Sequence, residues 1–135
     1  MRTPYFWLLA VYCAAVLALS IKPNPPVPDL AIPHIDKIGH FGMYGLMAAL
    51  TYIWLRNGWA NIGAVALFFG PFLFASGYGA FCELLQRFTP ERTFSWGDMA
   101  ANALGALTVQ CALYVAAPRL WPTRSGALAR DGSAQ

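Results

Sequence analysis

The chain has 135 residues, of which 58% are hydrophobic and 11% are charged, and its net charge is +3. A soluble domain of ordinary composition carries about 25% charged residues. The charged side chains here are too few to cover a water-facing surface, so the composition excludes an ordinary soluble domain and indicates a membrane protein. The small, dispersed positive charge does not indicate nucleic acid as a partner.

Four apolar stretches approach the length of about 20 residues that a helix needs to cross a bilayer. In chain order the predicted spans cover residues 5–21, 38–55, 60–85 and 99–117. The first also resembles a signal peptide, but the aromatic residues at its start favour a span. We predict an all-α polytopic membrane protein, a four-transmembrane-helix bundle in a single domain over 1–117. Residues 118–135 are polar and predict a disordered tail.

Polar residues are concentrated at one end of the predicted bundle. With four spans, the end of the first, the start of the second, the end of the third and the start of the fourth all meet at one membrane face. We therefore predict that polar side chains gather at that face, whichever way the protein inserts. The residues concerned are Asp36, Lys37, His40, Glu83, Gln86, Arg87, Arg92, Ser95, Asp98 and Asn102.

Helical spacing groups most of these residues into three stripes, because side chains three or four positions apart share a helix face. A charge that points at lipid near the bilayer centre costs about 2.5–3.5 kcal/mol, so we expect the stripes to face inward together. The stripes are Asp36, His40 and Tyr44; Glu83, Gln86 and Arg87; and Asp98, Asn102 and Gly105.

Three groups among these polar residues also have purely structural explanations. His40 could be a structural histidine bonded to Asp36 one turn earlier. Ser95 and Asp98 have the spacing of a capping box at the start of a helix. Glu83 and Arg87 are four residues apart and could form an ion pair at the membrane interface. These alternatives remain open at the level of the sequence.

Small residues on two spans are spaced for close helix packing. Gly39, Gly42 and Gly45 recur every three residues on the second span, and Ala101 and Gly105 form a small-xxx-small pair on the fourth. This spacing predicts that these helices approach one another closely.

Three motifs follow one another along the chain: DKIGHF at 36–41, Glu-x-x-Gln with a later Pro-x-Arg at 83–92, and Asp-x-x-x-Asn-x-x-Gly at 98–105. In this order and at this spacing they resemble the VanZ-like family of bacterial membrane proteins. The resemblance covers roughly residues 36–110 and one preceding span. It implies a multi-pass protein of the bacterial inner membrane with a cell-envelope role. Since the namesake is linked to teicoplanin resistance, it also makes resistance a function to test.

The leading hypothesis is that the polar residues at this face bind an anionic, lipid-linked group, for example a cell-wall precursor among the membrane lipids. Lys37, Arg87 and Arg92 would neutralise its charge, and arginine offers a paired donor fork for a phosphate or carboxylate. Basic residues are slightly more numerous on the side of the termini, which favours cytoplasmic termini. The predicted ligand-binding residues are Asp36, Lys37, His40, Glu83, Gln86, Arg87, Arg92, Asp98 and Asn102.

Two alternatives belong to other classes. The chain could be an enzyme with His40 as a general base oriented by Asp36 and with Glu83 or Asp98 as the acid. Metal binding by His40 and the carboxylates is a variant of that hypothesis, although no resident metal or cofactor is predicted. The third hypothesis is a structural clamp that holds the bundle or docks a partner. The sequence leaves catalysis and the oligomeric state open.

Overall fold

The structure, a computed structural model, describes residues 3–22, 34–59, 61–90 and 92–120. These described residues form four helices and no strand: α1 Thr3–Ile21, α2 Ile35–Gly58, α3 Ala64–Gln86 and α4 Trp96–Leu120. The predicted all-α four-helix bundle is confirmed. Each helix contains a stretch long and apolar enough to cross a membrane, so the chain is a multi-pass membrane protein.

Three of the helices, α1, α2 and α4, begin two or three residues before the apolar spans that the sequence predicts. α2 begins at Ile35 and α4 at Trp96, so that Asp36 and Asp98 each lie in a first helical turn. An acidic side chain is favourable there because the helix N-terminus carries partial positive charge. Asp36 and Asp98 are therefore held on regular helix and not on the preceding loops.

At the C-terminal end of the chain, helix continues past the predicted fourth span. α4 continues to Leu120, so the first residues of the predicted tail are helical. A helix extends beyond the hydrocarbon readily because it satisfies its own backbone hydrogen bonds. The rest of the predicted tail, 121–135, lies outside the described residues.

α2 and α3 lie in the middle of the bundle. Each of them packs against the other three helices, whereas α1 and α4 do not contact each other within the part of the chain that the structure describes. The core contains Tyr44, Met47 and Ala48 of α2 together with Ala75 of α3 and Ala106 of α4. Many large apolar side chains remain exposed on the outside, as a surface that faces lipid requires.

α2 and α4 approach each other closely at Gly105. A methyl group placed there would collide with the backbone carbonyl of Phe41, and Gly45 faces Gly105 from the other helix. The predicted packing role is thus correct for Gly45 and Gly105. It is wrong for Gly39 and Gly42, where an added methyl would meet nothing within 4 Å, because these two residues point away from α4.

Candidate functional site

Three helices each contribute one ionisable side chain to a common point near one end of the bundle. His40 comes from α2, Glu83 from the last turn of α3 and Asp98 from the first turn of α4. One nitrogen or oxygen atom of each lies within 4.8 Å of the others. We call these three residues and Asn102 the polar cluster. The structure thus places side chains from all three predicted stripes together.

His40 is held by contacts on both sides of its ring. Its Nδ1 lies 2.9 Å from Oδ1 of Asn102 and 3.7 Å from Oε1 of Glu83. On the other side, Nε2 lies 3.9 Å from Oδ2 of Asp98. The ring also stacks on Tyr44 one turn later, with centroids 6.2 Å apart. Because a carbonyl oxygen only accepts, the Asn102 bond places a proton on Nδ1.

Glu83 is the most deeply buried charged residue of the site, with no exposed surface. Its Oε2 accepts a hydrogen bond of 3.3 Å from the backbone N–H of Ser95. With its side-chain amide oriented to satisfy its neighbours, Gln86 donates to both carboxylate oxygens at 3.3 Å. A buried carboxylate is costly unless it is paired and hydrogen-bonded, and these contacts supply part of what it needs.

The start of α4 forms one half of the predicted capping box. Oγ of Ser95 accepts the backbone N–H of Asp98 at 3.2 Å, as a serine at this position should. In a complete box the carboxylate of Asp98 would accept the N–H of Ser95, but that N–H is bonded to Glu83. The carboxylate of Asp98 is therefore free to face His40 and to pair with Lys37 Nζ at 3.3 Å.

Asn102 is buried between the central helices. It is 1% exposed, and a methyl group at Gly79 of α3 would lie only 2.7 Å from its Nδ2. Gly79 lies one turn before Glu83, and the motifs in the sequence did not single it out. A glycine that shares a helix stripe with a buried acid is the signal that could have found it.

The model of the VanZ/LLP1 family matches residues 4–117 of the chain. The match spans all four helices and contains every residue of the polar cluster. The chain belongs to the VanZ/LLP1 family. No curated protein and no solved structure matches it significantly.

In this VanZ/LLP1 protein, Asp36 does not hold His40. Asp36 accepts a bond of 2.9 Å from its neighbour Lys37, and its side chain is 48% exposed. The contacts that orient His40 come instead from Asn102, Glu83 and Asp98, on α4 and α3. The expectation that Asp36 orients the imidazole is therefore wrong, because the first turn of α2 projects that carboxylate toward the surface.

The two predicted arginines lie apart from the polar cluster. Arg92 donates from a terminal guanidinium nitrogen to the carbonyl of Leu19 at 3.1 Å and from Nε to the carbonyl of Lys22 at 3.3 Å. It thus satisfies carbonyls that the end of α1 leaves without helical partners. Arg87 follows the last residue of α3 and is exposed, so it does not share the interior position of Glu83.

The polar cluster opens toward the surface on the side of Lys37. The side chains of His40 and Asp98 are each 14% exposed, whereas Lys37 is 38% exposed. Glu83 forms the closed end. The site therefore has a buried acid at its base, an imidazole and a carboxylate in its wall, and a primary amine at its mouth.

Proposed function

We propose that this VanZ/LLP1 membrane protein binds the anionic headgroup of a lipid at the mouth of the polar cluster and serves a cell-envelope role. The observation that carries the proposal is the position of Lys37. Its ammonium is the cation that borders the opening, next to the partly exposed His40 and Asp98. The ammonium of Lys37 loses part of its hydration at the membrane interface. A phosphate or carboxylate group beside it would take the place of the lost water.

The ion pair between Lys37 and Asp36 is easy to exchange. Both side chains are substantially exposed, and such surface pairs contribute little to stability. A headgroup phosphate could therefore take the place of the Asp36 carboxylate on Lys37 without breaking the bundle. Asp98 would stay behind the ammonium at 3.3 Å and hold it in place.

The remaining predicted ligand residues contribute to binding less directly than Lys37 in this proposal. Glu83, Gln86 and Asn102 are buried and support His40 and Asp98 from behind. Arg87 is exposed on the same end of the bundle and offers a second cation to a large headgroup. Arg92 stabilises the end of α1 through two carbonyls and acts on the site from a distance.

A lipid-linked cell-wall precursor is the ligand we propose to test first. Teicoplanin, to which the family's namesake is linked, binds cell-wall precursors, so a protein that holds such a precursor could reduce its access. We propose a bacterial plasma-membrane location with cytoplasmic termini, which places the polar cluster at the outer face. Expression in a teicoplanin-susceptible strain should then raise the inhibitory concentration, and Lys37→Gln should abolish the increase.

A second candidate function is acid–base catalysis on the same headgroup. The observation that favours it is the pair of contacts on the His40 ring, where Nδ1 is fixed by Asn102 and Nε2 faces Asp98. A partly exposed histidine with one nitrogen fixed and the other beside a carboxylate is arranged as a general base. Chemical turnover of the bound lipid would distinguish catalysis from binding alone.

The test is mass spectrometry of lipids that co-purify with the wild type, with Lys37→Gln and with the matched control Lys22→Gln. Lys22 is an exposed lysine at the same end of the bundle, just after α1. We expect one class of anionic lipid in the wild type and the control and at least a tenfold loss in Lys37→Gln. Equal retention in both variants would refute the proposal. Retention by none, with all three folded, would favour the structural clamp.

A further inference from the structure

We propose that His40, Glu83 and Asp98 form a binding site for one divalent transition-metal ion, of the class of Zn²⁺ or Mn²⁺. This inference goes beyond lipid binding and does not depend on it. It also revises the expectation from the sequence that no metal is bound. Mixed nitrogen and oxygen ligands suit such ions, whereas Mg²⁺ and Ca²⁺ prefer oxygen ligands alone.

The first support is the convergence of three ligand types from three helices. One donor atom of each residue lies within 4.8 Å of the other two, and Nε2 of His40 lies 3.9 Å from Oδ2 of Asp98. An ion with bonds of about 2.0–2.2 Å to nitrogen and oxygen separates tetrahedral ligand atoms by roughly 3.4 Å. Side-chain movements on the order of 1 Å would therefore close the site around an ion.

The second support is the hydrogen bonding of His40. Oδ1 of Asn102 accepts from Nδ1 at 2.9 Å, which leaves a lone pair on Nε2. That lone pair faces Oδ2 of Asp98 at 3.9 Å, which is too long for a hydrogen bond. Two acceptor atoms thus face each other across a gap that a cation would fill. A metal-binding histidine almost always donates its other N–H to an oxygen acceptor, as His40 does.

The third support is the state of Glu83. It has no exposed surface, one of its oxygens is bonded to Ser95, and the other is directed at His40. Ser95 and Gln86 donate hydrogen bonds to the carboxylate, but no lysine or arginine forms an ion pair with it within the described ranges. A buried carboxylate requires a proton or a cation, and a metal ion shared with His40 and Asp98 would supply one.

The charge balance around the site points the same way. The carboxylates of Asp36 and Asp98 pair with the ammonium of Lys37, that of Glu83 lies beside His40, and Arg92 adds a more distant positive charge that acts on Glu83. Negative charge exceeds positive charge while His40 is neutral. A divalent ion would reverse this balance, and it would leave Lys37 available for an anion outside the site.

The alternative without a metal is a protonated His40 between the two carboxylates. This arrangement also satisfies both ring nitrogens and removes the excess negative charge. The two explanations differ in what the purified protein binds: only the first predicts saturable uptake of an ion that depends on all three side chains.

The test is titration of the full chain, purified in detergent and stripped with chelator, with Zn²⁺, Mn²⁺ and Mg²⁺ alone under isothermal calorimetry. We expect one Zn²⁺ or Mn²⁺ per chain and at least tenfold weaker binding of Mg²⁺. Glu83→Gln and Asp98→Asn, which keep the side-chain shape, should each weaken binding at least tenfold. Asp98→Asn keeps the Ser95 cap and covers the case in which the buried Glu83→Gln variant does not fold.

A matched control separates the site from general surface binding. His34→Asn removes the other described histidine, which is exposed and has a positive φ of 60°, a conformation that asparagine tolerates. This variant should bind the ion within twofold of the wild type. Absence of saturable binding by the wild type, or a loss below tenfold in a folded Glu83→Gln or Asp98→Asn variant, would overturn the proposal.

Discussion

Substitution of Gly105 by alanine is expected to separate α2 from α4 and to destabilise the protein. The new methyl group would collide with the carbonyl oxygen of Phe41 and lie 2.8 Å from its carbonyl carbon. Carbon atoms in favourable contact are about 3.5–4.0 Å apart, so the helices would have to move apart by about 1 Å. The obstacle is backbone, which cannot turn aside as a side chain would.

The expected cost follows from these distances. Overpacking of a well-packed contact costs about 1–3 kcal/mol, and a collision with rigid backbone belongs in the upper part of that range. Gly42→Ala is the matched control, because it adds the same methyl to α2 where nothing lies within 4 Å. It should stabilise the helix by about 0.5–1 kcal/mol. We therefore expect the two variants to differ by about 3 kcal/mol.

The assay is unfolding in mixed micelles with increasing denaturing detergent, followed by tryptophan fluorescence. Gly105→Ala should unfold at a clearly lower fraction of denaturing detergent than Gly42→Ala. It should also weaken the contact between His40 and Asn102, which spans the same two helices at 2.9 Å and would lengthen beyond hydrogen-bond range. Equal stability of the two variants would show that α2 and α4 do not cross at Gly105.

Two other substitutions test the contacts that fix the start of α4 and the end of α1. Ser95→Ala removes the Oγ that accepts the N–H of Asp98 and should lower the unfolding free energy by about 1 kcal/mol. The same unfolding assay measures this loss. Ser95→Thr retains a capping hydroxyl and should recover most of it. Arg92→Gln removes the guanidinium that bonds the carbonyls of Leu19 and Lys22 and should cost about 1 kcal/mol, whereas the exposed Arg87→Gln should cost much less. If Arg87→Gln is as destabilising as Arg92→Gln, the contact with α1 is not what stabilises that end of the bundle.

The sequence by itself determined the membrane location, the four helices and the end of the bundle at which the polar residues meet. Composition determines the membrane location, because so few charged side chains cannot cover a surface in water. The length of the apolar stretches determines that there are four membrane-spanning helices. The meeting of the polar residues at one end follows from the alternating direction of consecutive spans, which brings the ends of α1 and α3 to the same face as the starts of α2 and α4. No packing detail is needed for any of these.

Only the tertiary structure decided which polar groups meet. Spacing along α2 predicted Asp36 as the partner of His40, but the rotation of α2 and its close approach to α4 at Gly105 give that place to Asn102, Glu83 and Asp98. Periodicity within one helix says which residues share a face, and it carries no information about the residue that a neighbouring helix places opposite. That choice depends on helix rotation and crossing, which the packing of glycine against backbone sets.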